Sequence, residues 1–159
     1  MGSLSLVIRE AADEEEWQSA MDLARHTFME NDAPIYSDEG IRSFEDFISC
    51  PLLKDLHGGG AYDVYTAWDG DSLVGMAALR QASHLSLLFV DPERQGEGIG
   101  GMLLYYLCRQ IRTFTDNESM TVNAAPTAYE FYKSHGFCAT GLEVTENGIR
   151  YTPMERVLI

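Results

Sequence analysis

Positive charge is what this chain most lacks: 11 lysines and arginines stand against 25 aspartates and glutamates, giving a net charge of −14. A surface that binds DNA or RNA needs basic side chains to neutralise phosphates, so no nucleic-acid partner is expected. The acidity suits a cationic substrate drawn in by the protein's field, and equally a surface kept charged for solubility. Cysteine is also sparse. The three, Cys50, Cys108 and Cys138, form no C-x-x-C pair and no cluster with histidine. Neither a disulfide framework nor a metal site is indicated, and each is expected as a buried or idle thiol. Long apolar runs are missing: stretches such as Leu85 to Val90 are strand-sized, far short of a membrane span. The N-terminus carries no basic segment followed by an apolar one, so no secretory leader is read there. Leu6 stands where a myristoylated Met-Gly start would need Ser or Thr. These absences place the expected protein in the cytoplasm, without a membrane partner.

What is present fits one domain over residues 1–159, large enough to bury a core without disulfides or metals. Leu4 to Arg9 alternates as a first strand. Asp13 with Glu16 makes a capping box, followed by Trp17, Met21, Ala24 and Phe28 at helical spacing. Asn31-Asp32-Ala33-Pro34 ends that helix. A second helix is expected from Ser37 to Ser49, burying Ile41, Phe44, Phe47 and Ile48, with Pro51 closing it. Tyr62–Trp68, Leu73–Arg80 and His84–Val90 read as three strands, the first two joined by a tight turn at Asp69-Gly70-Asp71. A helix follows from Gly98 to Phe114 with Ile99, Leu103, Leu107 and Ile111 on one face, then a short strand from Met120 to Asn123. Pro126 suits the first turn of a helix running to His135, stopped by Gly136. Phe137–Thr145 and Ile149–Leu158 are expected as strands around an Asn147-Gly148 hairpin turn. The order β-α-α-β-β-β-α-β-α-β-β implies an α/β fold: a central mixed sheet with helices on both faces.

The sharpest local signal is the run from Val90 to Gly101, which holds Gly96, Gly98, Gly100 and Gly101 between a strand and an amphipathic helix. Glycines let the backbone turn sharply there, and free amides at the helix start converge on a phosphate-sized point. The run also satisfies G-x-G-x-x-G, but it follows an antiparallel meander, whereas a dinucleotide fold needs its first βαβ unit there. No G-K-[ST] is present, so it is not a P-loop.

Gln95-x-x-Gly98-x-Gly100, preceded by Val90-x-Pro92, resembles the acetyl-CoA pyrophosphate loop of the GNAT acetyltransferase superfamily. Asn123-Ala124-Ala125-Pro126-Thr127-Ala128, then Phe131-Tyr132-x-x-x-Gly136-Phe137, resembles the family's second motif. The ending Gly148-Ile149-Arg150-Tyr151-x-Pro153-Met154-Glu155 is similar to one bacterial subgroup, and the element order matches along the whole chain.

The resemblance implies an acetyl-CoA-dependent N-acetyltransferase acting on a primary amine of a small molecule or peptide. Attack would be direct, with no covalent acyl-enzyme. The alternative is a non-catalytic acyl-CoA-binding sensor on the same fold. By similarity, Gln95, Gly96, Glu97, Gly98, Ile99, Gly100 and Gly101 should wrap the pyrophosphate. Leu88, Phe89 and Val90 should pair with the pantetheine arm, and Asn123 should touch it. Glu97 departs from the family, which usually has a basic or neutral residue there. Tyr132 matches the general acid that protonates the departing thiolate. The base is read as His84, whose intrinsic pKa suits proton transfer, and Glu30, Asp32 and Tyr36 as lining the acceptor pocket. The assembly is expected as a monomer, or as a homodimer paired through the last hairpin.

Overall fold

The computed structural model describes residues 5–158. Strand β1 spans Val7–Glu10; Leu4, its expected first residue, and Met1 and Gly2 lie outside the described residues. Helix α1 (Glu14–Asn31) starts where Asp13 Oδ1 accepts the Glu16 amide at 2.8 Å. Glu16 reaches back one residue further than a standard box, accepting the Ala12 amide at 2.8 Å and pairing with Arg9. Helix α2 covers Asp38–Ile48 and is capped by the Ser37 hydroxyl.

Pro51 does not merely close α2. It opens a short helix α3 (Pro51–Asp55), because proline at the first helical position has no amide to leave unsatisfied. Strands β2 (Tyr62–Asp69), β3 (Ser72–Arg80) and β4 (His84–Val90) form the antiparallel meander. A single 3₁₀ turn at Pro92–Arg94 leads into α4 (Ile99–Phe114), which is followed by β5 (Ser119–Ala124).

Two expectations near the C-terminus change. The helix expected from Pro126 is only Tyr129–Ser134 (α5), and residues 126–128 form a turn closed by Ala128 N–H on Ala125 O. The strand expected over 137–145 breaks into β6 (Cys138–Ala139) and β7 (Val144–Glu146). Both pair with β8 (Ile149–Val157), but the register slips between Ala139↔Met154 and Val144↔Tyr151. A Cβ on Gly141 would lie 3.2 Å from the Pro153 ring, so the break falls where proline packs on a residue without a side chain.

The strand order is β1-β2-β3-β4-β5-β8-β6, with β7 on β8, and all neighbours are antiparallel except β4 and β5. Alternation sends Val64, Met76, Ala78 and Leu87 to one face under α1, α2 and α3. Tyr65, Ala77, Leu79 and Leu85 go to the other, against Leu103, Leu107 and Ile111 of α4. Leu85 and Leu87 would share a face in a regular strand. They do not, because Leu79 pairs with Leu85 and Ala78 with Leu87, leaving Ser86 as a bulge that reverses the strand's facing.

All three thiols are free: Cys108 is buried, Cys50 half-buried and Cys138 exposed. No helix among the described residues is long and apolar enough to cross a membrane.

Candidate active site

The site begins as a defect in the sheet. β4 and β5 pair only at His84↔Thr121 and Leu85↔Val122, after which the strands part and leave a wedge. The Asp91 amide bonds to Val74 O across β3, so alternation turns the main chains of Leu88 and Val90 toward the wedge. Phe89 is placed differently: its backbone pairs with Met76, and its ring packs edge-on against Phe44.

The glycine turn closes one end of the wedge. Gly96 and Gly98 have φ of 84° and 86°, and Gly98 caps α4. The first intrahelical bond runs from Met102 N–H to Gly98 O, leaving the earlier amides of the helix open. No acidic residue lies in that first turn, so the positive end of the helix dipole is unopposed there. Gly100 and Gly101 serve close packing on α5: a Cβ on either would come within 3.0 Å of Phe131 or of the His135 ring.

Gln95, Gly96, Gly98, Ile99, Gly100 and Gly101 all line the cleft, and Glu97 does not. Both Glu97 oxygens accept from Arg94 Nε at 3.0 Å, and Arg94 also bonds Asp69 at 2.9 Å. This fork holds the Glu97 carboxylate outside the cleft in which an anion would sit.

The cleft continues past the wedge to the other face of the sheet, enclosing about 1290 Å³ in one volume. Asn123 and Tyr132 line its middle, and Glu30, Asp32, Tyr36 and His84 line its far end. Tyr132 is buried between Phe131 and Phe137, whose ring centroids each lie 5.3 Å away. Its hydroxyl is neither bonded to a described residue nor sealed from the cleft. Burial, with the charge of Asp32 added, pushes the phenol's pKa up, so its proton is retained.

His84 holds Thr121 Oγ1 with Nδ1 at 2.8 Å, and burial lowers its pKa to about 4. It is therefore a neutral imidazole and a weak base at physiological pH. Tyr36 donates to Arg150 O at 3.1 Å, with its pKa raised to about 12 by burial. Asp32 is buried and accepts a short hydrogen bond from the Thr127 hydroxyl; burial raises its pKa. Glu30 is exposed at the rim.

Several lining residues escaped the sequence reading. Phe44 and Phe47 have the spacing of core residues but are only half-buried because they wall the cleft, with Phe44 stacked on Phe28 at 3.8 Å. Thr127 was hidden in an expected helix. Glu146, Ile149, Arg150 and Tyr151 belong to the last hairpin, which roofs the cleft on that side. The Asn147-Gly148 turn and the family-like ending mark this segment, but nothing local shows where a hairpin docks.

The roof is held by backbone approach. Ser43 Oγ donates to Asn147 O at 2.6 Å, and a Cβ on Gly40 would lie 2.4 Å from Gly148 O. Gly40→Ala is expected to lift the hairpin off α2, since the clashing atom is backbone. The KM of a substrate bound under the hairpin should rise roughly tenfold, about 1.4 kcal/mol, while affinity for a ligand held at the glycine turn stays within twofold. Steady-state kinetics with calorimetry checks this.

Comparison with known proteins agrees with this geometry. A family model described as an acetyltransferase (GNAT) domain matches residues 32–158. The peptidyl-lysine N-acetyltransferase YjaB of Salmonella typhimurium is 33% identical over 138 residues, 85% of this chain and 81% of its own. Among solved structures, a GCN5-related N-acetyltransferase from Rhodopseudomonas palustris superposes with a TM-score of 0.80 at 21% identity, covering 99% of this chain and 97% of its own. The PaiA N-acetyltransferase of Thermoplasma acidophilum, solved with coenzyme A, gives 0.75 at 21% identity, covering 96% and 99%. With the split sheet, the glycine turn and these matches together, the chain belongs to the GNAT superfamily and is an acetyl-CoA-dependent N-acetyltransferase.

Proposed function

We propose that the enzyme transfers the acetyl group to a primary amine, on a small molecule or a peptide, by direct attack within a ternary complex. The observation that carries this reading is the continuity of the cleft. One volume joins the glycine turn, the open edge of β4 and an acidic, aromatic pocket on the opposite face. Pyrophosphate is held by the amides that open α4, and the pantetheine arm extends β4 along Leu88 and Val90 as an added strand. The thioester then lies between the parted strands near Asn123 and Tyr132. An amide on the open edge of β4 polarises its carbonyl, and Tyr132 protonates the departing sulfur.

Direct attack is supported by the thiols. No cysteine lines the cleft, and Cys108 faces the core with its pKa raised by burial. A cationic acceptor is favoured by Asp32, Glu30 and Glu146 at the far end. The YjaB relative, named for peptidyl-lysine, makes a lysine side chain one reasonable acceptor.

The test is calorimetric titration with acetyl-CoA, followed by spermidine, an aminoglycoside and a lysine peptide as acceptors, read by free thiol release. Saturable binding and intersecting initial-rate plots are expected. Parallel plots would overturn direct attack. Binding without thiol release from any amine would favour a sensor.

A further inference from the structure

We propose that Asp32 is the group that takes the proton from the attacking amine; this rests on the acetyl transfer proposed above. Stability alone does not explain where Asp32 sits. Asp32 ends α1, where a negative charge opposes the helix dipole, and its side chain is buried, with a relative exposure of 8%. A buried carboxylate is costly unless paired. Among the described residues no lysine, arginine or histidine pairs with it. Its one side-chain donor is the Thr127 hydroxyl, in the turn after β5, and a carboxylate has room for several more. Asp32 lines the acceptor end of the cleft.

A protonated amine supplies what is missing, a cation with N–H donors. The charge of Asp32 acts on both Tyr36 and Tyr132, so the carboxylate shares its surroundings with the phenol assigned to the leaving sulfur. His84 is the competing base. It lies on the same side of the sheet as α1, but its Nδ1 is committed to Thr121 and burial weakens its basicity. For Asp32 burial works the other way, strengthening the carboxylate as a base. The other titratable or charged groups lining this cleft are Glu30 on α1, Arg80 on β3, Arg94 and His135 near the glycine turn, and Glu146, Arg150 and Tyr151 on the hairpin.

The steps balance. The acceptor ammonium gives one proton to Asp32, and the nitrogen lone pair forms the new bond to the thioester carbon. The carbon–sulfur bond breaks as sulfur takes the Tyr132 proton, and Tyr132 regains one from the nitrogen of the collapsing intermediate. Asp32 then returns its proton to water, so one proton is released per transfer.

The experiment uses the amine with the highest kcat/KM in the thiol-release screen and follows kcat/KM against pH. Wild type should show an acid limb above the ordinary carboxylate range. Asp32→Asn should lower kcat/KM at least about 100-fold and abolish that limb, with acetyl-CoA affinity unchanged. Thr127→Val removes the hydrogen bond that holds the carboxyl's pKa down, so it should move the limb to higher pH. His84→Gln should keep the limb in place. The proposal is overturned if Asp32→Asn retains the limb, if His84→Gln removes it, or if Thr127→Val leaves it unmoved. Should Asp32→Asn not fold, Thr127→Val decides alone. Acetylation that ignores Asp32 leaves the transfer reaction standing, whereas a blank amine screen removes both readings.

Discussion

Gly98→Val is expected to weaken acetyl-CoA binding at least about 100-fold, close to 2.7 kcal/mol, as measured by calorimetry. Gly98 adopts a φ of 86° at the cap of α4, a conformation that β-branched side chains strongly disfavour. Relief comes by rotating the turn, which swings the first amides of the helix away from the shared point on which an anion binds. Backbone strain at one residue costs roughly 1–3 kcal/mol of stability wherever it occurs, so the matched control is Gly58→Val. Gly58 has a φ of 89° with nothing within 4 Å of a Cβ, and it does not line the cleft. Both variants should lose a few degrees of Tm, roughly 2–4 °C per kcal/mol. Only Gly98→Val should lose the ligand. Equal affinities in the two variants would mean that the turn does not hold the pyrophosphate.

That contrast shows what local sequence can carry. Gly58 and Gly98 look alike in composition and in φ; what separates them is the helix beginning at Ile99, and its apolar period was readable from Leu103, Leu107 and Ile111. The layered fold, the meander and the Asn147-Gly148 turn were legible for the same reason, since each depends on residues close in sequence. The wedge was not legible from periodicity. β4 and β5 pair at only two positions, and β4 carries a bulge at Ser86 in its pairing with β3; neither fact has a local signature. Thr127 shows the same limit more sharply. Pro126 signals a helix start, but the actual start moves to Tyr129, and the freed turn lets the Thr127 hydroxyl reach Asp32 at the C-terminal cap of α1, 95 residues earlier. Phe44 and Phe47 have helical core spacing and wall a cleft instead. Amphipathic period reports that a face is covered, and a ligand cavity and a packed core both cover it.

Tyr132→Phe is expected to lower kcat about 100-fold while leaving acetyl-CoA affinity within twofold. The substitution removes one hydroxyl and keeps the ring that packs between Phe131 and Phe137, so Tm should hardly move. The hydroxyl makes no bond to a described residue, so its loss leaves no protein group there unpaired. The whole effect should therefore fall on the step in which sulfur departs. Burial and the nearby Asp32 charge both hold the phenol protonated. Wild type should accordingly show no alkaline limb from Tyr132 across the neutral and mildly basic range, and the fall in kcat should be independent of pH there. A pH-dependent loss would point to a phenolate acting as base, the opposite role. An unchanged kcat, with chemistry shown to limit turnover by single-turnover measurement, would remove Tyr132 from the mechanism. The Asp32 variants separate from this one by their pH profiles. Losing the group that accepts the amine's proton abolishes the acid limb, and losing the group that protonates sulfur lowers the plateau without moving it.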